Sequence, residues 1–159
     1  MEQLENMEKI EAAQTELGQF LISMMPVPWT KICYYAKVAP GFSSSWLGSI
    51  EKETNVICCE DFYWKRYDTY PFERREANRK LHQLVSELYN AYLERFGEEK
   101  IWRLIFYTIE ADGKVHIDFE DENLPGNSLE QHDEVFRRFF GSEYEYYWTK
   151  YPSAEIGQG

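Results

Sequence analysis

Cysteine is scarce in this chain and badly placed for cross-linking. Only Cys33, Cys58 and Cys59 occur. Adjacent residues on a strand point to opposite faces, so Cys58 and Cys59 make a poor disulfide pair and lack a zinc-ligand spacing. They read as small buried hydrophobes. A long apolar run is missing as well: the longest, Phe20 to Val27, is broken by Ser23 and Pro26. A bilayer span needs about 20 apolar residues. The opening residues, MEQLENMEKIE, are acidic and polar, the reverse of a secretory or transit peptide. These absences predict a soluble protein of a reducing cytoplasm, with no membrane association and no cofactor.

Positive charge is also in deficit. Seventeen Lys and Arg stand against 28 Asp and Glu, a formal charge of −11. Residues 110–147 alone hold eleven acids and three bases, a net of −8. Such a region repels nucleic acid and anionic membranes, and it attracts and steers a basic protein. One basic zone, residues 62–80, sets six bases against three acids among Tyr63, Trp64, Tyr67 and Tyr70. It superficially suits stacking on a single nucleic-acid strand. The overall charge opposes that use, and a solvated helix start paired to the acidic side is the simpler reading. Catalytic signatures are missing too: no G-x-S-x-G, P-loop, G-x-G-x-x-G or H-E-x-x-H occurs.

Aromatic residues are what the chain has in excess. Phe, Tyr and Trp number 27 of 159, more than a core of this size needs. Some must lie at the surface, where a large apolar body with a polar tip favours recognition. The periodicities order them. Ile10, Ala13, Leu17, Phe20, Leu21 and Met24 form a helical stripe over residues 5–25, ended by Pro26 and Pro28. Alternating strands follow at Trp29 to Val38, Phe42 to Ile50 and Asn55 to Asp61, with Pro40-Gly41 as the first turn. The small polar run Ser43-Ser44-Ser45 marks the second strand as exposed or at an edge. Leu81, Leu84, Val85, Leu88, Tyr89, Tyr92 and Phe96 make a second helix closed by Gly97. A hairpin spans Ile101 to Glu122, and Ser128-Leu-Glu-Gln131 resembles a capping box opening a third helix. The order α-βββ-α-ββ-α predicts a single α+β domain over residues 1–150. Its antiparallel sheet has about five strands with helices packed on one face, and residues 151–159 form a flexible tail.

The hairpin carries the candidate chemistry. Ala111-Asp112-Gly113-Lys114 suits a two-residue type I′ turn, with φ > 0 at both central residues. That register pairs Phe106 with Phe119 and Thr108 with Ile117, and it gathers Ile105, Tyr107, Ile109, His116, Asp118 and Glu120 on one face. His116, Asp118 and Glu120 could present a metal or an acid–base group. Spread over about 13 Å of strand, they cannot converge within ~2.0–2.5 Å of one ion without help from other strands. His82 and His132 accompany no recognisable nucleophile motif. An acidic face turned to solvent or to a partner is the simpler reading. Asp118, Glu120, Asp121 and Glu122 are the expected steering patch, with His116 beside them. Tyr107, Tyr63, Trp64 and Trp46 are the expected aromatic anchors.

Four segments give the chain a resemblance to a known family: MMPVPWTKICYYAKV, KLHQLVSELYNAYLERFGEE, the hairpin WRLIFYTIEADGKVHIDFEDEN, and FRRFFGSEYEYYW. Together they resemble the YezG-like immunity proteins, antitoxins against bacterial polymorphic and contact-dependent inhibition toxins. The resemblance covers roughly residues 15–150, and the hairpin and the Pro28-Trp29 lead into the first strand are its most specific parts. The Ser43–Ser45 run and Cys58-Cys59 fall outside it. The resemblance implies a cytoplasmic α+β protein without catalysis that binds a cognate toxin domain, often a nuclease. Two other classes compete: a small enzyme or metal protein using His116 and Asp118, and an adaptor for a non-toxin partner. Exposed aromatics would serve a homodimer as readily as a toxin.

Overall fold

Helix α1 (Glu2–Ser23) opens the computed structural model, which describes residues 2–60, 63–67, 70, 72–141 and 145–146. The stripe Ile10, Ala13, Leu17, Leu21 and Met24 is buried along it. Strands β1 (Trp29–Ala39) and β2 (Phe42–Glu51) form a hairpin across Pro40-Gly41, and β3 (Val56–Cys59) adds to β2. After the short helix α2 (Tyr63–Arg66) comes α3 (Arg74–Phe96). Glu73 caps its first turn through the Glu76 N–H, and the Gly97 N–H closes its last turn on Leu93 O. Strands β4 (Leu104–Glu110) and β5 (Val115–Glu120), helix α4 (Ser128–Phe140) and the two-residue β6 (Glu145–Tyr146) complete the order.

The sheet runs β5-β4-β1-β2-β3-β6 and is antiparallel except where β6 joins β3. This is the α+β architecture that the alternation of patterns predicts, with α1 and α3 on one face, α4 added on the other and one small parallel strand added at the edge. Helices α1 and α3 cover one face, burying Ile32, Tyr34, Ala36, Leu47, Ile105 and Tyr107 beneath them. Helix α4 lies on the other face, where Val135, Phe136, Phe139 and Phe140 meet Cys33, Ile50, Ile57, Leu104 and Phe106. Cys58 and Cys59 point to opposite faces, and all three cysteines are buried. Burial pushes the Cys33 thiol up to about 12, which leaves it unreactive.

Two local expectations are corrected. The hairpin turn is not a two-residue type I′ turn, because Asp112 keeps a negative φ and Gly113 alone is left-handed, at φ 96. The Gly113 N–H donates to Glu110 O (2.9 Å), and the Lys114 N–H donates to the Asp112 side chain (3.1 Å). Ala111-Asp112-Gly113 thus forms a three-residue loop ending in a left-handed glycine. The extra loop residue shifts the register by one, so Ile105 faces Phe119, Tyr107 faces Ile117 and Phe106 faces Asp118. A one-residue slip moves a strand's side chains to the other face. The capping box of α4 also begins one residue earlier: the Asn127 side chain accepts from the Glu130 N–H, and Glu130 reaches back to the Asn127 N–H. The expected tail over residues 151–159 lies outside the described residues.

Candidate partner-binding surface

The corrected register decides which groups share a surface. Tyr107 turns toward α1, buried, and donates its hydroxyl to Gln14 O at 2.8 Å. Tyr63 is fully buried at the start of α2, its hydroxyl 2.7 Å from Ser49 Oγ. Neither can anchor a partner; both are core residues with satisfied polar tips. The side chain of Trp64 lies outside the described residues. Trp46 is half-buried beneath α4, with the Phe136 ring 4.8 Å away and Phe139 stacked at 5.9 Å. It lies so close over Gly48 that a Cβ there would come within 2.6 Å of the indole. Much of its apolar surface therefore seats α4.

His116, Asp118 and Glu120 do share a face, the α4 side of edge strand β5. His116 Nε2 stands 2.9 Å from Asp118 Oδ2, with both side chains largely exposed. Glu120 is different. It pairs with Arg138 of α4, which also binds Glu134, and the Arg138 guanidinium lies 5.1 Å over the Phe106 ring. Hydrogen bonds from Arg137 and Arg138 hold the Glu134 carboxyl below the usual range. Glu120 thus fastens α4 to the sheet, and its charge is neutralised there. Asp121 and Glu122 follow in the exposed loop after β5. Between β5 and α4 lies a cleft of about 460 Å³ bordered by Lys31, Glu110, Asp118, Glu120 and Arg138. Lys31 is committed inside it, donating to Phe139 O at 2.6 Å.

The basic zone is also spoken for in part. Arg66 pairs with Glu51 at 2.5 Å, joined by the hydroxyls of Thr54 and Tyr67. Burial alone would raise the Glu51 carboxyl, but these three donors outweigh it and bring it down to about 2. Tyr67 and Tyr70 are half-buried against the core, so the stacking platform suggested by composition is turned inward.

One contact has no counterpart in the sequence spacing. His82 Nδ1 on α3 meets Ser43 Oγ on β2 at 2.5 Å, beside Ser45, Glu60 and Asn78 around a cavity of about 280 Å³. A serine, an imidazole and a carboxylate are the ingredients of a nucleophilic site. Ser43, however, lies in a regular ladder opposite Val38, not on the sharp turn that presents a nucleophile beside oxyanion-binding N–H groups. The contact ties α3 to the sheet. Among the described residues, no group of three or more His, Cys, Asp or Glu is placed to hold a metal ion. No helix among them is long and apolar enough to cross a membrane.

Residues 10–152 match the family model described as immunity protein YezG-like. No curated protein matches the chain.

Proposed function

The chain belongs to the YezG-like immunity proteins, and from that premise we propose that it neutralises a cognate toxin domain by stoichiometric binding in the cytoplasm. The partner is a basic domain, and a nuclease fits best, since a nuclease must attract phosphate. What supports the electrostatic part is the open acidic end of the sheet: Asp118, Asp121 and Glu122 are exposed on β5 and the loop after it. The nearby guanidinium leaves that charge in place, because Arg138 is already held by Glu120 and Glu134. Such a patch speeds encounter with a basic partner, while residence time comes from buried contacts elsewhere. Glu120 serves the patch by positioning α4, and the exposed part of Trp46 offers an apolar contact.

The test is a titration of the purified protein into the toxin domain encoded beside its gene. Toxin activity should vanish at one equivalent. The double variant Asp121→Lys/Glu122→Lys should bind with a several-fold lower association rate, a flatter salt dependence and little change in dissociation rate. Full protection at a small fraction of an equivalent would mean turnover, and the binding mechanism would be wrong.

A further inference from the structure

The second strand has an edge that the rest of the sheet does not cover. Among the described residues, β3 pairs with β2 only at Gly48, Ser49 and Ile50, so the outer side of Phe42–Leu47 meets no strand. Hydrogen-bond direction there follows from one contact. The Val38 N–H donates to Arg103 O, toward β4. Main-chain groups alternate sides along a strand, so those of Lys37 turn to Ser44, its partner on β2. Those of Ser43 and Ser45 then point outward.

The side chains along this edge open onto two cavities, one on each face of the sheet. On the α4 side, Phe42 and Trp46 border a space of about 370 Å³ with Tyr35, His132 and Val135. Phe42 is 53% exposed. On the opposite side lies the polar cavity of about 280 Å³ that Ser43 and Ser45 share with Glu60 and His82. Natural edges are guarded by charge, proline or bulges. Strand β5 has such guards in His116, Asp118 and Glu120, whereas Phe42–Leu47 contains no charged residue and no proline.

We propose that this edge accepts an extended segment of the toxin as an added β-strand. The main-chain groups of Ser43 and Ser45 form its ladder. Alternate side chains of the segment then enter the two cavities, an apolar one packing on Phe42 and Trp46 and a polar one meeting Ser43 and Ser45. Added strands gain affinity from backbone bonds and selectivity from alternating pockets, and a segment of a basic toxin domain complements a chain of net charge −11. The inference rests on the toxin-binding reading above.

Hydrogen exchange on the complex with the neighbouring toxin domain tests it, together with two variants. The amides of Ser43 and Ser45 should become protected on binding. Ser43→Pro removes an outward N–H without touching the β1–β2 ladder and should weaken binding about ten- to a hundredfold. Ser43→Ala loses the same contact to His82 but keeps the N–H, and its affinity should stay within about threefold. If the toxin binds while both amides exchange freely, and Ser43→Pro binds as tightly as the parent, strand addition is refuted and neutralisation stands. If the parent protein does not bind the toxin, both readings fall. Should Ser43→Pro fail to fold, amide protection in the parent complex decides alone.

Discussion

Replacing Gly18 with alanine should destabilise the protein in one background and not in another, and the difference tests where Tyr107 points. A Cβ at Gly18 would lie 2.4 Å from the Tyr107 hydroxyl oxygen and 3.3 Å from the ring carbon bearing it. In an isolated helix, glycine to alanine gains about 1 kcal/mol. Here the ring must shift, which costs about 1–3 kcal/mol in overpacking. The shift also costs about 1 kcal/mol for the 2.8 Å bond to Gln14 O. The net is a loss of about 1–3 kcal/mol. Tyr107→Phe alone should cost about 1 kcal/mol. With the hydroxyl gone the nearest atom is at 3.3 Å. Gly18→Ala combined with Tyr107→Phe should therefore be neutral or stabilising by up to about 1 kcal/mol relative to Tyr107→Phe alone. A double-mutant cycle by urea denaturation should give a coupling of about 2 kcal/mol and a change of sign. Equal destabilisation in both backgrounds would refute the reasoning. It would mean that the strain at Gly18 does not come from the Tyr107 hydroxyl.

Two further perturbations probe the frame of the binding surface. Because the Glu51 carboxyl is held near 2, below its ordinary 4.5, it stabilises the fold fully above about pH 4.5 and progressively less as pH falls toward 2. The unscreened shift corresponds to about 3 kcal/mol. Glu51 borders an open cleft with Arg66 and Tyr67, and solvent screening reduces the figure to about 2 kcal/mol. Arg66→Met should flatten that acid limb in pH-dependent denaturation, and an unchanged limb would show that other carboxylates dominate it. Asn127→Ala should cost about 1 kcal/mol by removing the α4 cap. Near-ultraviolet dichroism should register the change, because Trp46 sits among the rings of α4.

Much of the fold is legible in the sequence because its signals are periodic. The α1 stripe, the strands around Pro40-Gly41 and the Gly97 stop each follow from local geometry, and the structure keeps them. The misplacements arise where one residue changes the answer. Asp-Gly serves either hairpin loop, and only the φ of Asp112 separates them. That single angle decides whether Tyr107 faces Ile117 or Asp118 across the hairpin. Tyr63 is misplaced for another reason: aromatic density says that some rings must be exposed but not which ones. Arg138, Lys31 and His82 are invisible as partners of Glu120, Phe139 and Ser43 because those contacts span 18, 108 and 39 residues. Only the packing of α3 and α4 on the sheet brings them together.

The acidic end and the unguarded edge lie on different parts of one sheet, and that separation has a kinetic consequence. Strand β2 is three positions from β5, about 14 Å at the usual strand spacing, so a single toxin domain can reach both. In the proposed binding mode, charge at Asp121 and Glu122 acts before contact and falls off with salt, whereas backbone bonds at Ser43 and Ser45 form only after docking. Patch substitutions should therefore appear in the association rate and edge substitutions in the dissociation rate. With no contact shared between them, their effects on affinity should add. Helix α4 lies between the two, fixed to β5 through Arg138 and Glu120 and resting on Trp46 at the apolar cavity. Loosening α4 would disturb both ends at once, which separates its contribution from that of either surface.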